Sequence, residues 1–168
     1  MWKKVIGVSA VIGAAVCEAA AVVKLIQKNY LAVQMERADR NDANCQLAYQ
    51  WIHMCQKGNR LGEYLKSRNI QTAAIYGMGD MGKILYEELK RLGIQAAYGI
   101  DKNKNVSQID GLPVKSLSDT LPQADIIIVT PVYFYAGIKK ELKTLTDIQI
   151  VSLEEIIGQA LFYGSGEM

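Results

Sequence analysis

The sequence predicts an α/β fold, an open and doubly wound parallel sheet of about four or five strands, preceded by a long N-terminal helical region. Short apolar runs alternate with amphipathic stretches from Thr72 onward. One of these runs is continuously β-branched, and a glycine-rich turn joins the first run to a helix. The chain has 168 residues, a length that favours one domain with an appendage over separate cofactor and substrate domains.

The composition excludes several classes of function. The formal charge is only +2, from 19 basic and 17 acidic residues, and no basic block indicates nucleic-acid binding. The three cysteines, Cys17, Cys45 and Cys55, lack the paired spacing of a zinc site. The single histidine, His53, excludes a histidine-rich metal centre. We therefore expect neither nucleic acid nor a metal ion as a ligand.

The N-terminal segment, residues 1–26, is predicted to anchor the chain in a membrane. From Val5 to Val23 the sequence is apolar except for Glu18, and as a helix it would extend about 28 Å, close to the ~30 Å of a hydrocarbon core. A basic start and the small residues 19–21 leave a cleaved signal peptide as the alternative. Basic residues after the run favour the C-terminal side as cytoplasmic. We expect a single span in the cell membrane with the globular domain in the cytoplasm.

Residues 27–68 are predicted to form connecting helices. The stretch 27–57 contains neither proline nor glycine, and its apolar residues recur at helical intervals. Asp42 interrupts this apolar stripe, so we expect short self-association or packing on the domain rather than a long coiled coil. Gly58 then ends the helix, and a short second helix follows.

A glycine-rich turn follows the first predicted strand, Thr72–Tyr76. The sequence Gly77-Met78-Gly79-Asp80-Met81-Gly82 matches the pattern G-x-G-x-x-G and leads into a predicted helix that ends at Leu92. In this pattern the first glycine permits the turn, the second lets a pyrophosphate approach the backbone, and the third allows helix and strand to pack closely. The helix N-terminus directs N–H groups and a positive dipole end at the phosphate. These six residues are therefore predicted to bind a nucleotide.

Asp101 ends the second predicted strand, Gln95–Ile100, where a carboxylate accepts hydrogen bonds from the ribose of a bound nucleotide. A carboxylate there favours NAD over NADP, whose additional phosphate it repels, although Lys102 and Lys104 lie close by in the sequence. The alternative is that the glycines serve only the geometry of the turn and that the site is vestigial.

Two further strands complete the predicted sheet. Residues 125–130 contain the β-branched run of a central strand buried on both faces, and residues 148–151 form the last strand. A helix over 136–145 connects them, and a short helix is expected within 116–121. Since ligands of open α/β sheets bind beyond the carboxyl ends of the strands, Thr130 and Pro131 are predicted to join the glycine turn in the site.

Only one pair of residues is a candidate for catalysis. Tyr135 and Lys139 fit the Tyr-x-x-x-Lys arrangement in which a lysine lowers the pKa of a tyrosine one helical turn away. Tyr86 and Lys90 have the same spacing, which chance explains in a chain rich in both residue types. We therefore predict no independent catalysis, and a small NAD-dependent epimerase or reductase that uses Tyr135 and Lys139 is the alternative.

The segment from Ile75 to Ile157 resembles the small Rossmann-type domains of bacterial polysaccharide and surface-glycan biosynthesis proteins. The resemblance rests on a series of motifs in a fixed order, IYGMGDMGKILYEEL, YGIDKN, IDGLPV, ADIIIVTPVYFYAGIKKEL and VSLEEII. Similar segments begin sugar acyltransferases and precede the epimerase or dehydratase part of membrane polysaccharide-biosynthesis enzymes. In such proteins the domain binds a nucleotide or nucleotide sugar, while another domain usually supplies the catalytic groups.

The resemblance implies a membrane-anchored accessory or sensor domain that binds NAD or a nucleotide sugar in bacterial glycan biosynthesis. A second copy of the chain or a glycan-biosynthesis enzyme is the expected protein partner, and a protein-interaction scaffold with a vestigial nucleotide site is a further alternative. The predicted organisation is an anchor over residues 1–26, connecting helices over 27–68, a Rossmann-like nucleotide-binding domain over 69–158 and a flexible tail over 159–168.

Overall fold

The structure, a computed structural model, describes residues 2–58, 60–103 and 107–163, with side chains from Val22 onward. The elements in chain order are α1 (Trp2–Gln56), α2 (Leu61–Ser67), β1 (Thr72–Tyr76), α3 (Asp80–Leu92), β2 (Gln95–Ile100), β3 (Gln108–Ile109), β4 (Leu112–Lys115), β5 (Ile126–Val129), α4 (Tyr135–Leu142), β6 (Gln149–Ser152) and α5 (Leu153–Phe162). Two compact units divide the chain, residues 1–42 and 43–168.

Within the described residues, six strands form a mostly parallel sheet in the order β3-β4-β2-β1-β5-β6. The neighbouring strands β4, β2, β1, β5 and β6 all run parallel to one another. Strand β3, at the edge, pairs antiparallel with β4. The chain reverses its direction of winding between β1 and β5, an arrangement compatible with a Rossmann-like fold. The predicted α/β class and parallel sheet are confirmed, but the short antiparallel strand brings the number of strands to six.

Helices cover both faces of the sheet. On one face α2, α3, α5 and the end of α1 enclose a core that includes Ile75, Ile126 and Ile128. On the other face α4 covers a second core that includes Ile127 and Val129. The four residues of β5 are at most 2% exposed, which explains why the strand is β-branched throughout.

The start of β5 is tied to the start of β1. Oδ2 of Asp125 accepts hydrogen bonds from the backbone N–H groups of Gln71 at 2.8 Å and Thr72 at 2.7 Å, and from the Thr72 hydroxyl at 3.0 Å. These hydrogen bonds stabilise the carboxylate and lower the pKa of Asp125. The two N–H groups contribute most to this shift, and the hydroxyl contributes less. Asp125 therefore sets the register of the two central strands at their amino ends.

The helix predicted within residues 116–121 is not formed. Asp119 accepts a hydrogen bond from the Ser116 N–H at 2.8 Å, and its own N–H donates to the Ser116 carbonyl at 3.0 Å. Short polar side chains compete in this way with helical hydrogen bonding. Helix α4 likewise ends at Leu142 rather than at residue 145, and the Thr144 hydroxyl donates to the Glu141 carbonyl at 2.7 Å just beyond it.

Among the residues that the structure describes, no helix is both long and apolar enough to cross a membrane. Most of the predicted anchor lies outside the described side chains, because these begin at Val22. Lys104 and residues 164–168 of the predicted tail also lie outside the described residues, whereas residues 159–162 belong to α5.

Candidate functional site

Gly77 begins the turn after β1 in a conformation that only glycine adopts readily. Its φ is +89°, in the left-handed region that a Cβ disfavours. Its N–H donates to the Ile100 carbonyl at 2.8 Å at the end of β2. A Cβ on Gly77 would lie 2.7 Å from two ring carbons of Pro131. The first glycine thus permits both the turn and the close approach of the loop after β5.

Gly82 lies in the first turn of α3, directly above the preceding strand. A Cβ on Gly82 would lie 2.0 Å from the carbonyl oxygen of Gly77, a separation that no real Cβ contact allows. Helix and strand therefore pack at a distance that requires glycine, which is the role of the third glycine in the pattern.

Gly79, between these two, borders open space. A Cβ built on Gly79 meets no atom within 4 Å, and Gly79 caps α3 without a side-chain hydrogen bond. The first helical hydrogen bond runs from the Lys83 N–H to the Gly79 carbonyl at 3.0 Å. N–H groups in the first turn of a helix lack intrahelical acceptors, so the open space at Gly79 adjoins backbone donors that suit an anion.

Asp101 is tied to the glycine turn through its carboxylate. Oδ2 accepts a hydrogen bond from the Met78 N–H at 2.9 Å, and Oδ1 accepts one from the Asn103 N–H at 2.8 Å. Two carboxylate oxygens offer about four acceptor positions. Asp101 therefore holds the turn against the end of β2, a structural role that its sequence position did not reveal, and its carboxylate has further acceptor positions.

Two of the predicted site residues direct their side chains away from the open space. Met78 is 3% exposed, and its Cγ would lie 2.8 Å from a Cβ on Gly99, so its side chain packs against β2. Met81 lines an apolar cleft of about 530 Å³ together with residues of α1 and α3, among them Trp51 and Ile84. Neither thioether is directed at the open space, and the Met78 N–H is already engaged with Asp101.

Thr130 and Pro131 come directly after β5 and contact the turn, as their place at the carboxyl edge predicts. The Thr130 hydroxyl donates to the Gly77 carbonyl, with Oγ1 at 2.7 Å, and Thr130 is 4% exposed. Pro131 lies against Gly77 as described above. The structure thus brings the glycine turn, Asp101, Thr130 and Pro131 together at the carboxyl ends of β1, β2 and β5.

Tyr135 and Lys139 form a hydrogen-bonded pair, but at a different place. The Lys139 ammonium donates to the Tyr135 hydroxyl at 2.9 Å, and this bond raises the pKa of Lys139. The Tyr135 hydroxyl in turn donates to the Ile150 carbonyl at 3.1 Å on β6. Because β5 separates β6 from β1 in the sheet, the pair contacts the edge strand rather than the glycine turn.

A polar cluster that sequence reasoning missed lies beside the turn on the α4 face. Tyr76, the last residue of β1, is 3% exposed, and its hydroxyl has no hydrogen-bond partner within the described residues. Burial raises the pKa of Tyr76, and the nearby Lys102 ammonium opposes the shift. Lys102 Nζ lies 3.2 Å from Oε2 of Glu141 on α4. A tyrosine at the end of an apolar strand, directly before the glycine pattern, was the available signal.

Comparisons with protein-family models, with curated proteins and with solved structures gave no match for this chain. Within the described residues, no three His, Cys, Asp or Glu side chains come together as a possible metal site. The family resemblance therefore stays a prediction.

Proposed function

We propose that the domain binds the pyrophosphate of a dinucleotide or of a nucleotide sugar at the glycine turn. The observation that supports this most is the open space at Gly79, at the N-terminus of α3 and beside Asp101. No atom outside Gly79 and its two chain neighbours lies within 4 Å of a Cβ built there, so no packed side chain from elsewhere in the described residues fills this space. Pyrophosphate binding at such a turn needs room for close backbone approach.

Backbone donors rather than lysines would hold the phosphates. The positive end of the α3 dipole and the N–H groups of its first turn favour an anion. Asp80, exposed in the same turn, stabilises the helix N-terminus but opposes a phosphate. The bound phosphates therefore depend on well-directed hydrogen bonds, and the remaining acceptor positions of Asp101 receive the ribose.

Two exposed aromatic side chains follow β5 at the same edge of the sheet. Tyr133 and Phe134 are 41% and 40% exposed, and their rings form an edge-to-face pair with centroids 4.9 Å apart. Aromatic faces of this kind stack on planar rings and on the apolar faces of sugars. In this proposal they receive the part of the ligand beyond the pyrophosphate, either a nicotinamide or a sugar.

The proposed role is ligand binding without turnover. Tyr135 and Lys139 are engaged with β6, and the described residues of the crevice offer no nucleophile paired with a base. Together with the motif resemblance, this supports an accessory or sensor domain in bacterial glycan biosynthesis. The apolar sequence from Val5 to Val23 supports attachment of that domain to the cytoplasmic side of the cell membrane.

Calorimetric titration of the full chain with NAD, NADP and a panel of UDP- and GDP-sugars tests ligand binding. In Gly79→Val the new side chain enters open space in the free protein but occupies the phosphate position, so affinity should fall at least about tenfold with no loss of folding. Gly137→Val on α4 is the matched control, since Gly137 also borders open space. Saturable binding that survives Gly79→Val, or no binding up to millimolar ligand, would overturn the proposal.

Membrane attachment is tested separately on the full chain expressed in bacterial cells. We expect it in the membrane fraction after an alkaline carbonate wash. Cys45 and Cys55 are exposed thiols, so in a Cys17→Ser background a membrane-impermeant maleimide should label them only after lysis. Recovery in the soluble fraction would contradict the anchor, and labelling of intact cells would contradict the orientation.

A further inference from the structure

Asp101 and Lys102 are adjacent in the chain but reach towards opposite faces of the sheet. The Asp101 carboxylate contacts the Met78 N–H in the turn that leads to α3. The Lys102 ammonium instead lies 3.2 Å from Glu141 on α4. Helices α3 and α4 belong to the two different cores that cover the sheet. The lysine next to the ribose position therefore directs its charge away from that position.

Two groups on the α4 face act on the Lys102 ammonium. Glu141 is the first, and its hydrogen bond to Lys102 raises the pKa of the lysine. The second is the buried Tyr76 hydroxyl, which lacks a hydrogen-bond partner within the described residues and lies near the ammonium. A neighbouring positive charge compensates in part for an unpaired buried hydroxyl. Both interactions favour the position of the Lys102 ammonium on the α4 face.

The position of this charge bears on which dinucleotide can bind. A phosphate monoester on the 2′ oxygen of the adenosine ribose carries between about one and a half and two negative charges at neutral pH. Beside Asp101 it would meet a carboxylate, and a cation is needed to offset that repulsion. Lys102 follows Asp101 directly but is paired with Glu141 on the α4 face of the sheet.

We propose that the crevice takes a dinucleotide with an unphosphorylated adenosine ribose, NAD rather than NADP, and that Glu141 enforces this choice by pairing with Lys102. The inference rests on the proposed function and adds a specificity determinant on α4, outside the glycine turn. Glu141 and Lys102 are partly exposed, with side chains 45% and 65% accessible, so removal of the pair should leave the fold intact.

The test is calorimetric titration of the full chain with NAD and with NADP. The wild-type protein should bind NAD at least about tenfold more tightly than NADP. Glu141→Gln releases Lys102, so NADP should bind about threefold to tenfold more tightly than in the wild type while NAD binding is unchanged. Adding Lys102→Met to Glu141→Gln should abolish this gain. Glu154→Gln, which removes an exposed carboxylate from α5, is the charge-matched control and should not change the ratio.

The outcomes separate this inference from the function on which it rests. An unchanged ratio in Glu141→Gln, or a wild-type preference for NADP, overturns the inference and leaves nucleotide binding standing. Binding of UDP- or GDP-sugars without binding of NAD would also overturn the inference, and it would leave nucleotide binding standing. If the chain binds none of these ligands, the proposed function and the inference fail together. A gain for NADP that persists in the Lys102→Met double variant would assign the effect to another cation and overturn the role of the pair.

Discussion

The three glycines of the turn differ in how much space each has for a side chain. A Cβ would meet the Pro131 ring at Gly77, open space at Gly79 and a backbone carbonyl at Gly82. A flexible side chain can move away from a new methyl group, but a hydrogen-bonded backbone cannot move without disturbing the strand. Substitution of these residues therefore separates the folding role of the turn from its proposed role in binding.

We expect Gly82→Ala to destabilise the domain by about 1–3 kcal/mol, because helix α3 must move away from the end of β1 to admit the methyl group. Urea denaturation followed by circular dichroism measures the loss. Gly79→Ala is the control: it meets no steric clash and should cost less than Gly82→Ala, about 0.5–1 kcal/mol for replacing glycine at an N-cap. Equal losses in the two variants would contradict the packing described for Gly82.

Asp125 should make stability depend on pH. Its pKa is lowered in the folded state, so its stabilising effect is present above the ordinary aspartate pKa of about 3.9 and is lost as the pH falls through the lower folded value. The measurement compares the urea midpoints of the wild type and of Asp125→Asn across a range of pH. The difference between them should be constant between about pH 5 and 7 and should shrink below about pH 4. A difference that does not vary with pH would show that the charge of Asp125 is not what stabilises the strand ends.

At the scale of elements, α4 protects the open edge of the sheet. Strand β6 forms one edge of the described sheet, and the Tyr135 hydroxyl donates a hydrogen bond to the Ile150 carbonyl on that strand. Lys139 and Lys143 line the cleft along the same strand. Lysines near an edge strand discourage pairing with another chain, since a strand that docks there must remove water from their charges. The Tyr-x-x-x-Lys spacing thus has a structural function here.

Tyr135→Phe should therefore lower the free energy of unfolding by about 0.5–1.5 kcal/mol, the usual contribution of one hydrogen bond, and leave nucleotide affinity unchanged. Urea denaturation and the calorimetric titration described above measure the two effects. Tyr49→Phe is a suitable control, because Tyr49 on α1 is 71% exposed and lies outside the proposed site. Loss of affinity in Tyr135→Phe with unchanged stability would instead favour the catalytic alternative.

For the whole molecule, the sequence predicted those elements whose boundaries are set locally. The bounds of β1 and β2 agree with the prediction, since glycines and a change of hydrophobic period mark their ends. Strand β3 has only two residues and exists through pairing with β4, so no local pattern indicates it. The Lys102–Glu141 pair was also missed, because it joins elements that only the tertiary fold brings together.

Residues at both ends of β5 form hydrogen bonds to β1 or to the turn after it, and these contacts constrain the order of folding during synthesis. Asp125 bonds the start of β1, and Thr130 bonds the carbonyl of Gly77 across 53 positions of sequence. During synthesis the glycine turn emerges well before the residues that hold it in shape. Long-range contacts of this kind form late, because the intervening chain must first be ordered. Under the proposed function, the nascent chain would acquire a nucleotide at this turn only after β5 has emerged and paired with β1, so the ligand would not guide the earlier steps of folding.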